Sequence, residues 1–221
     1  MDILFPNRRE AGRLLAEELS YFATRPDVIV LALPRGGVPV AFEIATKLGV
    51  PLDVFLVRKL AVPGYAELAM GAIASGGGRI LNERLIRSLG ISRHLIDSIT
   101  SLEKLELERQ ETKYRESRAP VYCRGSTVIL VDDGLATGAS MRVAVQALKL
   151  RGPAHIVVAV PVSSQETCQQ MQTEADEVIC GKSPEDFGSV GAFYEDFSQV
   201  TDEEVCDLLS QAQASPVGNH A

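Results

Sequence analysis

The sequence predicts an α/β protein, a mostly parallel sheet flanked by helices, on three observations. Residues 28–33, 52–57, 127–131 and 156–160 read as strands, and all but 52–57, which carries Asp53, are short apolar runs rich in β-branched side chains, as in strands covered on both faces. Between them lie stretches whose apolar residues recur at helical spacing, and strands alternating with helices imply parallel pairing. The first three runs also stop abruptly at Pro34-Arg35-Gly36-Gly37, Arg58-Lys59 and Asp132-Asp133-Gly134. In such sheets ligands bind beyond the carboxyl ends of the strands, so these three loops are the places to look for chemistry.

The elements follow in order. Residues 8–22 read as a helix, with Ala11, Leu14, Leu15, Leu19 and Phe22 on one face. After the first strand, Ala41, Ile44, Ala45 and Leu48 mark a helix closed by Gly49. The second strand runs to Val57 and ends in Arg58-Lys59. Residues 60–78 are glycine-rich; within them 70–74 suit a short strand and Gly76-Gly77-Gly78 a turn, and Asn82 suits a helix cap. Residues 92–118 form a long charged helix, with Leu95, Ile99, Leu102 and Leu105 as its packing side. Met141, Ala144, Val145 and Leu148 define the helix after the third loop. Ser163 with Glu166, and Thr201 with Glu204, have the spacing of capping boxes for the last two helices, and residues 178–180 form a final short strand.

Bulk properties narrow the function. The 221 residues suit one domain with a substantial core, and 46% hydrophobic with 23% charged residues is ordinary for a globular chain. A net charge of −7 argues against a nucleic-acid binder, which needs a basic surface, but leaves room for a small anion pocket. No basic segment precedes an apolar run at the start, and no apolar stretch approaches the roughly 20 residues that span a bilayer. Cys123, Cys168, Cys180 and Cys206 form no Cys-x-x-Cys pair; they read as ordinary thiols in a reducing, cytoplasmic compartment, without zinc or disulfides. His94, His155 and His220 form no cluster in sequence. The chain is expected to be one domain over residues 1–214, with 92–118 as a helical insertion; the end frays from Gln211, and 215–221 form a disordered tail.

The chemistry concentrates in residues 128–140: an apolar strand, the pair Asp132-Asp133, then Gly134-Leu135-Ala136-Thr137-Gly138-Ala139-Ser140 opening a helix. Gly134 and Gly138 let backbone N–H groups approach an anion, and Thr137 and Ser140 add hydroxyl donors. The helix start directs unpaired N–H groups and a positive dipole end at the same point. The result is a phosphate cradle. The two carboxylates suit the hydroxyls of a sugar attached to that phosphate, or a divalent cation. No Lys follows Gly138, so the segment is not a Walker loop.

This segment resembles the motif with which type I phosphoribosyltransferases bind 5-phosphoribosyl diphosphate (PRPP). The resemblance implies a type I phosphoribosyltransferase-like (Rossmann-like) fold with a small hood built from the N- and C-terminal segments. It implies that Asp132 and Asp133 hold the ribose hydroxyls, and that Ala136, Thr137, Gly138, Ala139 and Ser140 wrap the 5′-phosphate. Arg35, Gly36 and Gly37 resemble the family's pyrophosphate loop, and Arg58 and Lys59 the basic residues aimed at the pyrophosphate. Residues 60–78 stand where the family has a mobile covering loop. The stretches Phe5…Arg8-x-x-Ala11-Gly12 and 190–197 resemble members of unassigned base substrate.

The implied reaction displaces pyrophosphate from C1 of the ribose by a ring nitrogen of a base, through a transition state of oxocarbenium character. Asp132, Asp133 and Lys59 are the expected catalytic residues, with Arg35 supplementing Lys59. Mg²⁺ is the expected cofactor, carried by PRPP and possible at Asp132 or Asp133. Phe193 and Tyr194 are candidates to stack on the base or to fill a second small core; Pro161-Val162-Ser163-Ser164 is a further base contact. A homodimer is implied. Two rivals stand beside this reading: a PRPP or nucleotide sensor without turnover, and, ranked lowest, a metal-dependent phosphate-ester enzyme using the acidic pair.

Overall fold

The computed structural model describes residues 4–116 and 118–214; the expected tail at 215–221 lies outside them. Helix α1 (Arg8–Glu18) starts at Asn7, whose side chain accepts from the Glu10 N–H, and a 3₁₀ turn over Ser20–Phe22 follows it. Then come β1 (Val28–Ala32), α2 (Gly37–Leu48) and β2 (Leu52–Val54). A second group, β3 (Val57–Val62), β4 (Tyr65–Ala74), β5 (Gly78–Leu81) and α3 (Glu83–Leu89), leads into the long α4 (Arg93–Arg115). The chain returns through β6 (Thr127–Val131), α5 (Ala139–Lys149), β7 (His155–Val162), α6 (Gln165–Met171), β8 (Glu177–Lys182) and α7 (Asp202–Ala214).

The main sheet has the order β2-β1-β6-β7-β8, and every neighbouring pair is parallel. From β1 the chain steps outward to β2; from β6 it steps the other way, to β7 and β8. The switch point therefore lies between β1 and β6, where Ala32 pairs with Val131 and the Leu33 N–H bonds the Val131 carbonyl at 2.8 Å. Every residue of β1 and β6 is buried, because helices cover both faces. One apolar core gathers side chains of α1, α2 and α7, and another those of α5 with Met171 of α6. A third, small core joins the chain ends: Phe5, Ala11, Val162, Phe193 and Tyr194. There the Leu4 and Phe5 N–H groups both donate to the Phe193 carbonyl, and the Glu195 N–H to that of Phe5.

Several expectations are corrected. The strand expected at 52–57 breaks after Val54, and Arg58 and Lys59 lie within β3 of a separate antiparallel sheet, β3-β4-β5. Most of 60–78 is therefore paired strand rather than a loop. Its alternation is muted because Ala and Gly fill many positions, leaving little hydrophobic contrast to read. On α4 the buried side chains include Ile96, Leu107 and Tyr114, with Ile99 partly covered, whereas Leu102 and Leu105 are 68% and 65% exposed. Ser164, not Ser163, caps α6 by accepting from the Thr167 N–H at 3.1 Å. Ser163 is still extended and buried, its N–H bonded to the Lys182 carbonyl.

The thiol reading fails for two cysteines. Cys168 on α6 and Cys180 on β8 form a disulfide, because α6 packs beside β8 and brings their Cα atoms to 6.6 Å. A separation of 12 residues matches no motif, so spacing could not reveal it. Cys123 and Cys206 are free. The bond removes the cysteine argument for a reducing compartment. Among the described residues no helix is long and apolar enough to cross a membrane.

Candidate functional site

Two loops leave the sheet side by side at the switch point. The first joins β1 to α2 through Pro34-Arg35-Gly36-Gly37, with a cis peptide between Pro34 and Arg35. The second joins β6 to α5 through residues 132–138. Gly36 and Gly37 let them touch. A Cβ on Gly36 would fall 2.1 Å from Asp133 Oδ2, and one on Gly37 2.7 Å from the Val131 carbonyl oxygen. No larger residue fits without moving the acidic pair.

The second loop turns into α5 through Gly138, which sits in the left-handed region at φ 67°. Ala136, Thr137, Ala139 and Ser140 are exposed, so the cradle residues line an open surface. Thr137 Oγ1 accepts weakly from the Ala139 N–H at 3.4 Å. The loop is braced from behind: Thr167 Oγ1 donates to the Ala136 carbonyl at 2.8 Å, and Arg142 donates to the Thr137 carbonyl. Both braces use carbonyls, and the Ala139 N–H at the start of α5 meets only the long Thr137 contact.

Asp132 and Asp133 sit at the root of this loop. Asp133 is pinned by several partners. Arg8 Nε donates to its Oδ2 at 2.7 Å, the Tyr194 hydroxyl to its main-chain carbonyl at 2.6 Å, and its own N–H to Asp132 Oδ1 at 2.9 Å. Burial pushes both carboxyls above the usual carboxylate range. For Asp132 the charge of Asp133 adds to the rise; for Asp133 the Arg8 guanidinium opposes it. Burial, with the charge of Asp133 beside it, also pushes the Tyr194 phenol up.

Arg35 lines a cleft of about 470 Å³ together with Pro34, Leu56, Val57, Gln110, Tyr114 and Asp202. Its guanidinium lies 3.8 Å from Asp202, an exposed pair that weakly restrains it. The structure thus brings Arg35, Gly36, Gly37, Asp132, Asp133 and the 136–140 loop to one end of the sheet. Arg58 is drawn instead to α4, where Nε meets Glu103 Oε2 at 2.6 Å, and Lys59 is exposed on β3. Phe193 and Tyr194 are 1% and 4% exposed. They fill the small core at the chain ends and offer no open ring face to a base.

Sequence reasoning did not single out Arg8 as a site residue. A signal was present, since Arg8 and Arg9 open a helix whose dipole disfavours cations there. Both have carboxylate partners from other elements: Asp133 for Arg8, and Glu43 at 2.5 Å for Arg9. Among the described residues no three His, Cys, Asp or Glu side chains gather as a metal site. The acidic pair, with one oxygen held by Arg8, cannot complete the octahedral oxygen shell of Mg²⁺. It fits only a cation that arrives with oxygens of its own ligand and water.

Comparisons with known proteins identify the family. The phosphoribosyl transferase domain family matches residues 64–197. Two curated proteins of Mycobacterium tuberculosis, assigned by name as phosphoribosyl transferases, are 41% identical over 209 residues. That alignment covers 95% of this chain and 47% of theirs, so the chain spans about half the length of those relatives. The crystal structure of TT1426 from Thermus thermophilus superposes with a TM-score of 0.83 at 42% identity, covering 94% of this chain and 98% of that one. With its paired loops at the switch point and this match over most of its length, the chain belongs to the phosphoribosyl transferase domain family.

Proposed function

We propose that the protein is a phosphoribosyltransferase: it binds PRPP with Mg²⁺ across the two switch-point loops and transfers the phosphoribosyl group to a nitrogenous base, releasing pyrophosphate. The observation that carries this reading is the contact of the Gly36 backbone with Asp133, which makes the two loops one continuous anion-and-sugar surface. In the reading, amides and hydroxyls of Ala136, Thr137, Gly138, Ala139 and Ser140 hold the 5′-phosphate at the start of α5. Asp132 and Asp133 accept from the ribose hydroxyls. Arg35, with the backbone of Gly36 and Gly37, receives the pyrophosphate, and Lys59 adds charge from β3. Arg58 joins them only on leaving Glu103.

The chain's contribution to catalysis is positioning and charge. The amides at α5 and the acidic pair fix the sugar, and Arg35 and Lys59 stabilise the negative charge that builds on the departing pyrophosphate. Negative charge on Asp132 or Asp133 also favours positive charge developing on the sugar. When bound with the substrate, Mg²⁺ supplies further charge neutralisation on the pyrophosphate. With Phe193 and Tyr194 buried, the base contacts fall to other residues near the strand ends. The reading includes a homodimer, as the family resemblance implies, and keeps a cytoplasmic location without the support of the cysteines.

A sensor that binds PRPP without turnover is the second reading. It is favoured by the pairing of Arg58 with Glu103 and by the burial of both candidate stacking rings. One experiment separates the two: pyrophosphate release from PRPP with Mg²⁺ and a panel of purines and pyrimidines. Turnover with one base, lost by at least ~100-fold in Asp133→Asn, is the expected outcome. Stabilisation by PRPP in a thermal shift, with no release for any base, selects the sensor.

A further inference from the structure

Asp133 is the most constrained polar residue of the site. Of its polar atoms, the main-chain N–H, the carbonyl and Oδ2 are all engaged by Asp132, Tyr194 and Arg8 respectively, and the Gly36 backbone presses on the same carboxylate. Oδ1 is left outside the ion pair. Arg8 is itself held on three sides. Its Nη1 donates to the Ser198 carbonyl at 2.8 Å, its guanidinium carbon lies 3.9 Å from the centre of the Phe197 ring, and its Nε reaches Asp133. Its side chain is 11% exposed, and that of Asp133 15%. A planar guanidinium locked this way fixes the direction of a carboxylate as well as its charge.

We propose that Arg8 is a positioning residue for sugar recognition: seated on Phe197 and the Ser198 carbonyl, it holds Oδ2 of Asp133 so that Oδ1 is presented to a ribose hydroxyl. The proposal rests on the reading of Asp132 and Asp133 as the sugar-binding pair and adds a residue from the other end of the chain. It also gives the pairing of the chain ends a task. The segment that carries Phe197 and Ser198 bonds back to Phe5 and Pro6, just before α1, and so sets where Arg8 enters the site.

The test uses the full chain and three ligands, each with Mg²⁺: PRPP, ribose 5-phosphate and inorganic pyrophosphate, titrated calorimetrically. Arg8→Gln is expected to weaken PRPP and ribose 5-phosphate by about tenfold, the size of one charge-assisted hydrogen bond, and to leave pyrophosphate within about twofold. Arg8→Lys, which keeps the charge but not the planar fork, is expected to recover part of the loss. Phe197→Leu leaves Arg8 and Asp133 in place and removes the ring beneath the guanidinium; the same ligand-selective loss, smaller, is expected there and serves if Arg8→Gln folds poorly. Equal weakening of all three ligands indicates a structural role and overturns the proposal, as does unchanged sugar binding in both Arg8→Gln and Phe197→Leu. A wild-type chain that binds neither PRPP nor ribose 5-phosphate refutes the sugar-site reading itself, a result distinct from a wild type that binds while Arg8→Gln binds equally well.

Discussion

Two arginine–aspartate pairs, one on the edge strand β2 and one just past the central strand β6, differ in what surrounds them. Arg115 and Asp53 have side chains 6% and 9% exposed, and the pair is saturated. Asp53 Oδ1 accepts from Arg115 Nε and the Val54 N–H; Oδ2 accepts from Arg115 Nε and the Val121 N–H. The remaining guanidinium nitrogens reach Glu111 and the Val54 carbonyl. Arg8 and Asp133 are almost as enclosed, yet Asp133 has one oxygen outside the pair and a second acid beside it. A carboxylate with every lone pair occupied ties β2 to α4 and to the irregular segment leading into β6. A carboxylate with one oxygen outside its ion pair is what the proposed sugar site needs, and burial pushes the pKa of both Asp132 and Asp133 up.

The largest effect that would sharpen this contrast is on stability. Arg115→Met leaves Asp53 buried without its cation and is expected to cost about 3–5 kcal/mol, lowering Tm by about 10 °C in calorimetry. PRPP binding by the folded fraction should be retained. A loss of ligand affinity with no change in Tm would break the division into a structural and a functional pair.

Gly36→Ala comes next. Its backbone angles suit any residue, so the effect is steric: the new methyl meets the Asp133 carboxylate. Turnover of PRPP should fall by about tenfold or more, with a stability loss of about 1–3 kcal/mol. A variant with unchanged pyrophosphate release would show that the contact between the loops is incidental.

The smallest effect runs in the opposite direction. A carboxyl whose folded pKa lies above its unfolded value holds its proton more tightly in the folded state. Its contribution to stability is full below the unfolded value and is lost as pH rises through the folded one. Above its unfolded value the buried Asp132 carboxyl therefore opposes folding, and Asp132→Asn should raise stability at pH 7 by about 1 kcal/mol and, on the proposed reading, weaken sugar binding. The gain should vanish at pH 3, which denaturant melts at the two pH values would show. Destabilisation at pH 7 would mean that the Asp133 N–H bond to Asp132 outweighs the burial of its charge.

The parts of the site that local sequence determines were legible. Glycines and the start of a helix within residues 134–140 encode a tight strand-to-helix turn, and Gly138 takes the left-handed conformation that only a residue of its kind adopts readily. Arg8 was not legible as a site residue, because its partner lies 125 residues away. On α4, Leu95, Ile99, Leu102 and Leu105 formed a plausible stripe, yet only Ile99 of them packs partly against the core, and Ile96, Leu107 and Tyr114 are the buried residues. The disulfide had no signature at all, since it depends on α6 lying against β8.

By itself, then, the sequence determined a parallel α/β sheet with glycine-bearing loops at its carboxyl ends, because strand runs, helix periods and turn residues act over a few neighbours. Only the tertiary structure decided which charges those loops receive. It gave Arg8 to Asp133 and Arg58 to Glu103, and it closed Phe193 and Tyr194 into a core. Which long side chain reaches which acid is set by the packing of elements distant in sequence, and no local period encodes that distance.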